Sequence, residues 1–575
     1  MIGDHAAAAE WLEIIDGTAP ILLIAPHGGR AGAEVGSFST ARVNDLHTAD
    51  ITRELASRLG ATALINRGLD RNLIDCNRVE QIVTHIPWLL PLIAEHLERI
   101  SAAHSGAIVL AIHGWNLVEP RVDIGVGLVG HGGILTPARG ARVTVSDGFL
   151  DGHVAALFAR FEQAGIAATF GMRYPAGGAQ NLLQAFTARH RNAEIDSLRR
   201  LAAIATKYTI EAIQLELSIA LRFPGAMRDR MIDCVSEVFR QPMPPKTPST
   251  FHHGRGLPKR PIKASAQFAS QRGKSHETER LGIEFYDVRN RIGAMASFDG
   301  GTTGGRIMIL MPDGVVALFT AEGPERGENR ALAAGPLQAE ARGERMYLRF
   351  RGPMLITSKR DSYANIERAL ALSSLDAAEL ALELRLDPAT QAGNTRITVI
   401  SARDIAERFG AFCGRLKLGQ SSYELEGIAR IGNAFTGLGE GMFEARRMLW
   451  VRGANEAEPY AIQATEFLHA GSWQSASRPS NGCHGCRILS FDFSTERIGV
   501  GARIKAVLAG DKDIPLTGEI VDCVTLMRLA GRRRFHTVIG FAQFDLDGRP
   551  GFGMFETSRP LTACDQDRAA VTTSR

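Results

Sequence analysis

The chain has 575 residues, 45% of them hydrophobic, with 66 basic against 62 acidic residues and a formal charge of +4. That length exceeds what one core needs, so two or three globular domains are expected, and the near balance of charge excludes the global electrostatic footprint of a nucleic-acid binder. The seven cysteines are odd in number and scattered apart from Cys483 and Cys486, which fits a reducing compartment better than a disulfide framework. Residues Met1 to Glu10 carry no basic leader region, and no apolar run approaches the roughly 20 residues that span a bilayer. A cytoplasmic protein without a transmembrane segment is the expectation.

From Ile21 to Phe239, short apolar runs alternate with segments of helical period. Ile21–Ala25, Ala61–Asn66, Ile108–Ile112 and Ile213–Leu217 have the length of strands. Between the first two, Val43, Leu46, Thr48, Ile51, Leu55 and Leu59 recur mostly at three- and four-residue steps, as one buried helical stripe requires. Residues 1–240 therefore read as an α/β sandwich on a largely parallel sheet.

Chemistry gathers at the ends of these strands. The stretch "LLIAPHGGRAGAEVG" places His27 just beyond a strand, where open α/β sheets put their ligand crevices. Gly28 and Gly29 allow a sharp turn close to a bound group, and Glu34 can return to the same place across a short loop. In "NRGLDRNLIDCNRVEQ", Arg71, Asp75, Asn77 and Arg78 favour an anionic-ligand pocket. Arg78 is suited to clamp a carboxylate at two points, Asn77 to donate from its amide, and Asp75 to orient the arginine or a histidine. Cys76 among them reads as a small buried residue.

"AIVLAIHGWN" repeats the local design, with His113 after a second apolar strand. If the two strands are neighbours, His27, Glu34 and His113 supply the two imidazoles and one carboxylate typical of catalytic zinc, with a fourth position open. In "IEAIQLELS" the apolar Ile213, Leu215 and Leu217 alternate with Gln214 and Glu216, so the two polar side chains share one face of a strand. A carboxylate there is costly unless paired or functional. Glu216 is read as general base toward an attacking water and general acid toward a leaving amine. The glycine cluster Gly125–Gly133 lacks the pattern of a phosphate-binding loop and reads as a flexible rim around His131.

"PHGG" with Glu34, "LIDCNR", "LAIHG" and "QLELS", in this order, resemble the N-formylglutamate amidohydrolase-like family and, more distantly, zinc carboxypeptidases. The resemblance covers about the first 240 residues and implies a phosphorylase/hydrolase-like α/β/α sandwich that hydrolyses amide bonds near a carboxylate. It implies His27, Glu34 and His113 as ligands of Zn2+, Glu216 as the catalytic carboxylate and Arg78 as the residue that meets the substrate carboxylate. The chain departs from the carboxypeptidase pattern three residues after the histidine, where Arg30 stands. Glu34 takes that place in this reading, with Asp50 on the following helix as the rival ligand.

Residues 241–280, rich in proline and basic residues, read as a linker. Beyond it, "RIMILMPDGVVALF", "RMYLRFRG", "ALELRLDPA", "TRITVI", "YELEGIARIG" and "IGFAQFDLDG" are short β-branched or alternating runs separated by turn residues. An antiparallel sandwich or barrel-like region is expected, with residues 281–420 as one β-rich domain and 421–575 as a second or its continuation. "YELEGIARIG" and "IGFAQFDLDG" resemble lipocalin-like lipid- or isoprenoid-associated domains. The Asp-His-Trp residues of such sequences are replaced after Gly439 by "GMFEARRMLW". Either a supporting domain or one that holds a hydrophobic acyl ligand follows. "CHGC" brings Cys483 and Cys486 within reach of one metal or a disulfide, with His484 and His469 as conceivable partners, but no second such pair exists to complete a zinc site, and the stretch reads as an unliganded reduced pair in a loop.

The sequence thus points to a zinc-dependent amidohydrolase acting on a small, carboxylate-bearing N-acyl amino acid or related amide. The competing class is a ligand-binding protein with an inactive α/β domain beside β-rich acyl-binding modules.

Overall fold

The computed structural model describes residues 10–28, 45–131, 134–242, 255–256, 280–299, 304–322, 325–326, 332–343, 345–358, 370, 372–386, 408–433, 445–453, 461–469, 472–475, 484–485, 487–493, 498, 500–509, 513–530 and 533–560. The chain divides into two compact units at Ser275 and His276, with Ser37–Thr40 counted to the second.

The first unit is built on strands β1 (Leu12–Ile15), β2 (Ile21–Ala25), β3 (Thr62–Asn66), β4 (Gly106–Gly114), β5 (Arg121–Gly125), β6 (Leu128–His131), β7 (Ile134–Pro137), β8 (Ala167–Phe170), β9 (Thr209–Leu217) and β10 (Arg255–Gly256). Seven of them form one mixed sheet in the order β1-β3-β2-β4-β9-β5-β8, and β10, β7 and β6 form a small second sheet. The core of the large sheet, β3-β2-β4-β9, is parallel, while β1 and β5 join it antiparallel.

Helices cover both faces, which is why these strands read as unbroken apolar runs. Ile21, Leu23, Ile108, Leu110, Ile112, Ile213 and Leu215 point to the face packed by α1 (Thr48–Leu59), α4 (Ala155–Gln163) and α6 (Ala226–Phe239). The intervening Leu22, Ile24, Val109, Ala111 and Ala212 meet α2 (Val79–His85), α3 (Leu89–His104) and α5 (Asp196–Lys207) on the other face. Strand β4 continues through His113 and Gly114, so His113 is the penultimate residue of a strand rather than the first residue beyond one. Among the described residues no helix is long and apolar enough to cross a membrane.

In the second unit, β11 (Arg280–Asp287), β12 (Ile292–Asp299), β13 (Gly304–Leu310) and β14 (Val315–Ala321) form a meander. Three short strands, β15 (Glu325–Arg326), β16 (Leu332–Ala334) and β17 (Leu337–Arg342), lead to β18 (Arg345–Ser358), β19 (Ser374–Leu386), β20 (Arg408–Leu418) and β21 (Ser421–Asn433). Pairing of β11 with β21 and of β14 with β18 closes eight of these strands into a barrel, which removes the exposed edges an open sheet would present. Phe285 and Phe412, and Phe319 and Phe350, pack as ring pairs in its core. Nine strands between Ala445 and Pro560 make a second, curled sheet. Its Trp450, Phe541, Phe552 and Met554 share a core with Tyr286, Leu310, Val316 and Phe409 of the barrel.

Gly419, where the sequence suggested a division, lies in the turn between β20 and β21 with φ at +58°, a conformation that favours glycine. The chain passes from barrel to second sheet only after Asn433. Thr395–Ile400 and most of the linker lie outside the described residues.

The central position of β4 gives a direct test. Leu110 is fully buried between β2 and β9, so Leu110→Ala should destabilise the first unit by roughly 2–5 kcal/mol. Urea unfolding followed by far-ultraviolet circular dichroism should show its transition moved to lower denaturant; an unmoved transition would place Leu110 outside the core.

Candidate metal centre

The polar groups of the first unit collect along one edge of the sheet. Because β4 and β9 are parallel and β9 and β5 antiparallel, the registers put His113 beside Glu216 and Glu216 beside Asp123. All three fall on the face that carries Val109, Ala111 and Ala212. Their strand positions deliver a polar row where the apolar alternation ends. His27, two residues past β2, approaches the same edge from the neighbouring strand, and its ring meets that of His113 edge-on with centroids 4.9 Å apart.

The carboxylate between the two imidazoles is Asp45. Its Oδ2 lies 3.1 Å from His27 Nδ1 and 3.5 Å from His113 Nδ1. The same oxygen accepts the N–H of Gly114 at 2.9 Å, and Oδ1 accepts from the Arg71 guanidinium at 2.6 Å. The Asp45 N–H in turn donates to the carbonyl of His27 at 3.1 Å, which ties the returning chain to the strand end. Close approach is possible because residue 114 is glycine: a Cβ there would stand 2.8 Å from Asp45 Cβ and 2.7 Å from the Arg222 guanidinium carbon. Gly28 serves similarly, since a Cβ would be 3.1 Å from Ala49 and 3.2 Å from the carbonyl of Asn66.

Behind His27 stands Asp75, whose Oδ1 lies 2.7 Å from His27 Nε2 and also accepts the N–H of Asn77 at 2.9 Å. A carboxylate on the far nitrogen of an imidazole sets its tautomer and leaves the near nitrogen free to act as a ligand. Arg222, buried beneath, donates to the carbonyls of Leu46, Trp115 and Leu217 and to Asn116, and holds the three segments together.

This arrangement fits a divalent ion. Tetrahedral coordination at roughly 2.1 Å separates neighbouring ligand atoms by about 3.4 Å, close to the spacing of Asp45 Oδ2 from the two imidazole nitrogens. Among the described residues, one donor atom from each of His27, Asp45 and His113 lies within 4.8 Å of the others, all three residues being buried. The other ring nitrogen of His113, Nε2, is buried without a hydrogen-bond partner among the described residues, so the ring has a second donor atom open to an ion. The donor set, two nitrogens and an oxygen, suits zinc and its neighbours in the first transition row.

Electrostatics agree with the geometry. Burial, reinforced by His27, brings the His113 imidazole down to about 4, so it is neutral and available as a ligand. Burial alone would also lower His27, but the carboxylates of Asp45 and Asp75 outweigh it and raise this imidazole. Asp45 resists the upward push of burial and stays far below the usual carboxylate range because His27, His113 and Arg71 surround it. Burial, together with the charges of Asp45 and Asp123, drives Glu216 well above that range. The ionised Asp45 beside a neutral His113 is a donor pair that a cation can use.

Other residues singled out from the sequence are distributed unevenly. Arg71 is bound to Asp45, and Arg78 is half-exposed at the start of α2 with its Nε 3.8 Å from Asp75. Cys76 is buried, and burial with the nearby Asp75 pushes its thiol up to about 12. Asp50 points away from the centre and pairs with Arg53 at 2.6 Å on the exposed side of α1. Glu34, Cys483, Cys486 and the side chains of His131, His469 and His484 lie outside the described residues.

An apolar stripe that continues back to Val43 assigns residue 45 to the helix and hides Asp45 as a ligand. The helix begins at Thr48, so Asp45 occupies the turn before it and can face the strand ends. An acidic residue just ahead of a helix is the available signal, and it is ordinarily taken for a cap.

No family model matches the chain, and no curated protein matches it. Among solved structures, a gene product of Agrobacterium tumefaciens is similar over 41% of this chain and 94% of its own, with 14% identity and a TM-score of 0.27. Kievitone hydratase from Nectria haematococca covers 49% of this chain and 89% of its own, with 11% identity and a TM-score of 0.28. CghA covers 50% and 88%, with 10% identity and a TM-score of 0.26. These likenesses carry no statement about the chemistry of this chain.

The ligand set is testable by metal content. Asp45→Ala should lower the affinity for zinc by more than roughly 100-fold, and Asp75→Asn by roughly 10- to 100-fold through loss of His27 orientation. Asp50→Ala should leave affinity unchanged. Competition titration against a chromogenic chelator measures all three, and a larger effect at Asp50 than at Asp45 would overturn the assignment.

Proposed function

We propose that the first unit is a zinc-dependent hydrolase that cleaves the amide bond of an N-acylated amino acid or a related carboxylate-bearing amide. The observation that carries this reading is the convergence of the buried His27, Asp45 and His113, with Glu216 on the adjoining strand. The motif order shared with N-formylglutamate amidohydrolase-like proteins and zinc carboxypeptidases supports the same conclusion. In this reading Asp45 takes the carboxylate position for which the sequence had suggested Glu34 or Asp50.

A divalent ion held by His27, Asp45 and His113 would supply Lewis acidity, polarising the substrate carbonyl and making water a stronger acid. The chain's own residues do the rest. Glu216 accepts the proton of the attacking water and returns it to the leaving amine. Burial and the charges of Asp45 and Asp123 raise its affinity for a proton, which suits it to hold one for the leaving amine. Gln214 donates to Glu216 Oε1 at 2.8 Å and Asn181 donates to Gln214 at 3.1 Å, so the carboxylate is held in one orientation. Asp75 keeps the His27 ring aligned. Arg71 balances Asp45 and lends positive charge on the His27 flank, where Arg78, half-exposed, and Asn77 receive the substrate carboxylate.

Glu216→Gln retains size and hydrogen bonding but cannot carry a proton. It should keep zinc and lose roughly two to four orders of magnitude in single-turnover hydrolysis. Near-normal turnover by the metal-loaded variant would remove Glu216 from the mechanism, and loss of zinc would make it a ligand. A panel of N-acyl amino acids with the zinc-loaded full chain tests the function itself. Acyl-chain binding without hydrolysis of any member would favour the binding-protein class.

Arg78→Ala should chiefly raise KM for substrates with a free carboxylate, and Arg78→Lys should restore little because the planar two-point contact is missing. Equal losses on a carboxylate substrate and its neutral carboxamide analogue would exclude a direct clamp.

A further inference from the structure

The flank of the centre opposite His27 holds Trp115, Arg173 and Tyr174, which have no role in the reading above. Asp123, fully buried in β5 and paired in register with Glu216, accepts three successive backbone N–H groups, from Met172 at 3.1 Å, Arg173 at 2.9 Å and Tyr174 at 2.8 Å. It also accepts the hydroxyl of Thr169 at 2.8 Å. One carboxylate thus fixes the turn after β8 in a single conformation, because breaking it out would leave a buried charge without donors.

What this turn presents is an aromatic and cationic wall. Tyr174 packs edge-on against Trp115 with centroids 5.7 Å apart. The guanidinium of the exposed Arg173 lies 5.9 Å from the centroid of the same indole. Trp115 is itself anchored to the centre: it follows Gly114, which holds Asp45, and its N–H donates to the carbonyl of Leu217, next to Glu216. Two separate links, Asp123 to Glu216 and Trp115 to Asp45, therefore put the wall at the rim of the site. Glu216 lies near enough to add to the rise that burial imposes on the Tyr174 hydroxyl.

Arginines consequently stand on both sides of the reacting position. Arg71 and Arg78 belong to the His27 flank and Arg173 to the Glu216 flank. An amide cleaved between these flanks has an amino-acid side and an acyl side. With the amino-acid carboxylate at Arg78, the acyl group runs toward Arg173, Trp115 and Tyr174. We infer that these three residues form an acyl-side subsite, with Arg173 its specificity-determining residue, and that it selects acyl groups ending in a carboxylate over neutral ones of equal length. A guanidinium steadied on an indole face offers planar donors with little orientational freedom to lose, and the Tyr174 hydroxyl adds a further donor. This rests on the hydrolase reading.

The test uses the zinc-loaded full chain and two matched pairs of N-acyl alanines, succinyl against butyryl and glutaryl against pentanoyl. The native chain should prefer the anionic member of at least one pair in kcat/KM. Arg173→Ala should shrink that preference about 10- to 100-fold, mainly through KM, as expected for one charge-assisted hydrogen-bonded contact, and Arg173→Lys should recover part of it. Binding of free succinate and glutarate by calorimetry is measured in parallel, since it needs no turnover. Hydrolysis whose preference is untouched by Arg173→Ala overturns the subsite and leaves the hydrolase standing. Dicarboxylate binding that disappears in Arg173→Ala, with no amide hydrolysed, supports the subsite and overturns the hydrolase. Neither hydrolysis nor Arg173-dependent binding overturns both.

Discussion

The carboxylate of Asp45 is the point on which the first unit turns. It is buried, and an ionised carboxylate removed from water is tolerated only when its lone pairs are engaged and its charge is offset. Here the engagement comes from four places in the chain: His27 after β2, Arg71 after β3, His113 in β4 and the backbone of Gly114. Each of these sits at the C-terminal end of a strand or in the segment that follows one. Satisfying one charge therefore gathers three neighbouring strand ends around one point.

The sheet topology supplies the second half of the site. Parallel strands send their C-terminal ends to a common edge, where α/β sheets open a crevice. Inserting β5 antiparallel against β9 adds Asp123 to that edge from a strand running the other way. Asp123 then does two things at once: it raises the proton affinity of Glu216 and it anchors the turn that carries Arg173 and Tyr174. Removal of that one charge would be felt both at the Glu216 carboxyl and in the turn after β8.

The second unit follows a different logic. Its barrel closes through the pairing of β14 with β18 and is packed with phenylalanine rings. Buried charges there include the ion pairs of Arg430 with Glu284 and of Arg447 with Glu466. Such pairs fix register, because shifting a strand by one residue would turn each charge to the opposite face. The barrel and the second sheet share a core in which Tyr286 and Phe409 meet Trp450 and Phe541.

What the sequence by itself determined were features of short range. Apolar runs of strand length, the helical stripe of α1, the polar face of β9 that carries Glu216 and the placing of His27 near a strand end are periodicities or neighbour relations within about a dozen residues. The β-rich character of the second half was legible for the same reason. Tertiary structure decided the rest. That Asp45 stands between the histidines depends on where a helix starts and which side of it meets the sheet, and the place of Asp123 beside Glu216 depends on a strand order that no local pattern encodes. The role of the turn at Arg173 and Tyr174 depends in turn on Asp123. Burial and charge act through space, so residues distant in the chain acquire their chemistry only from the neighbours that folding brings to them.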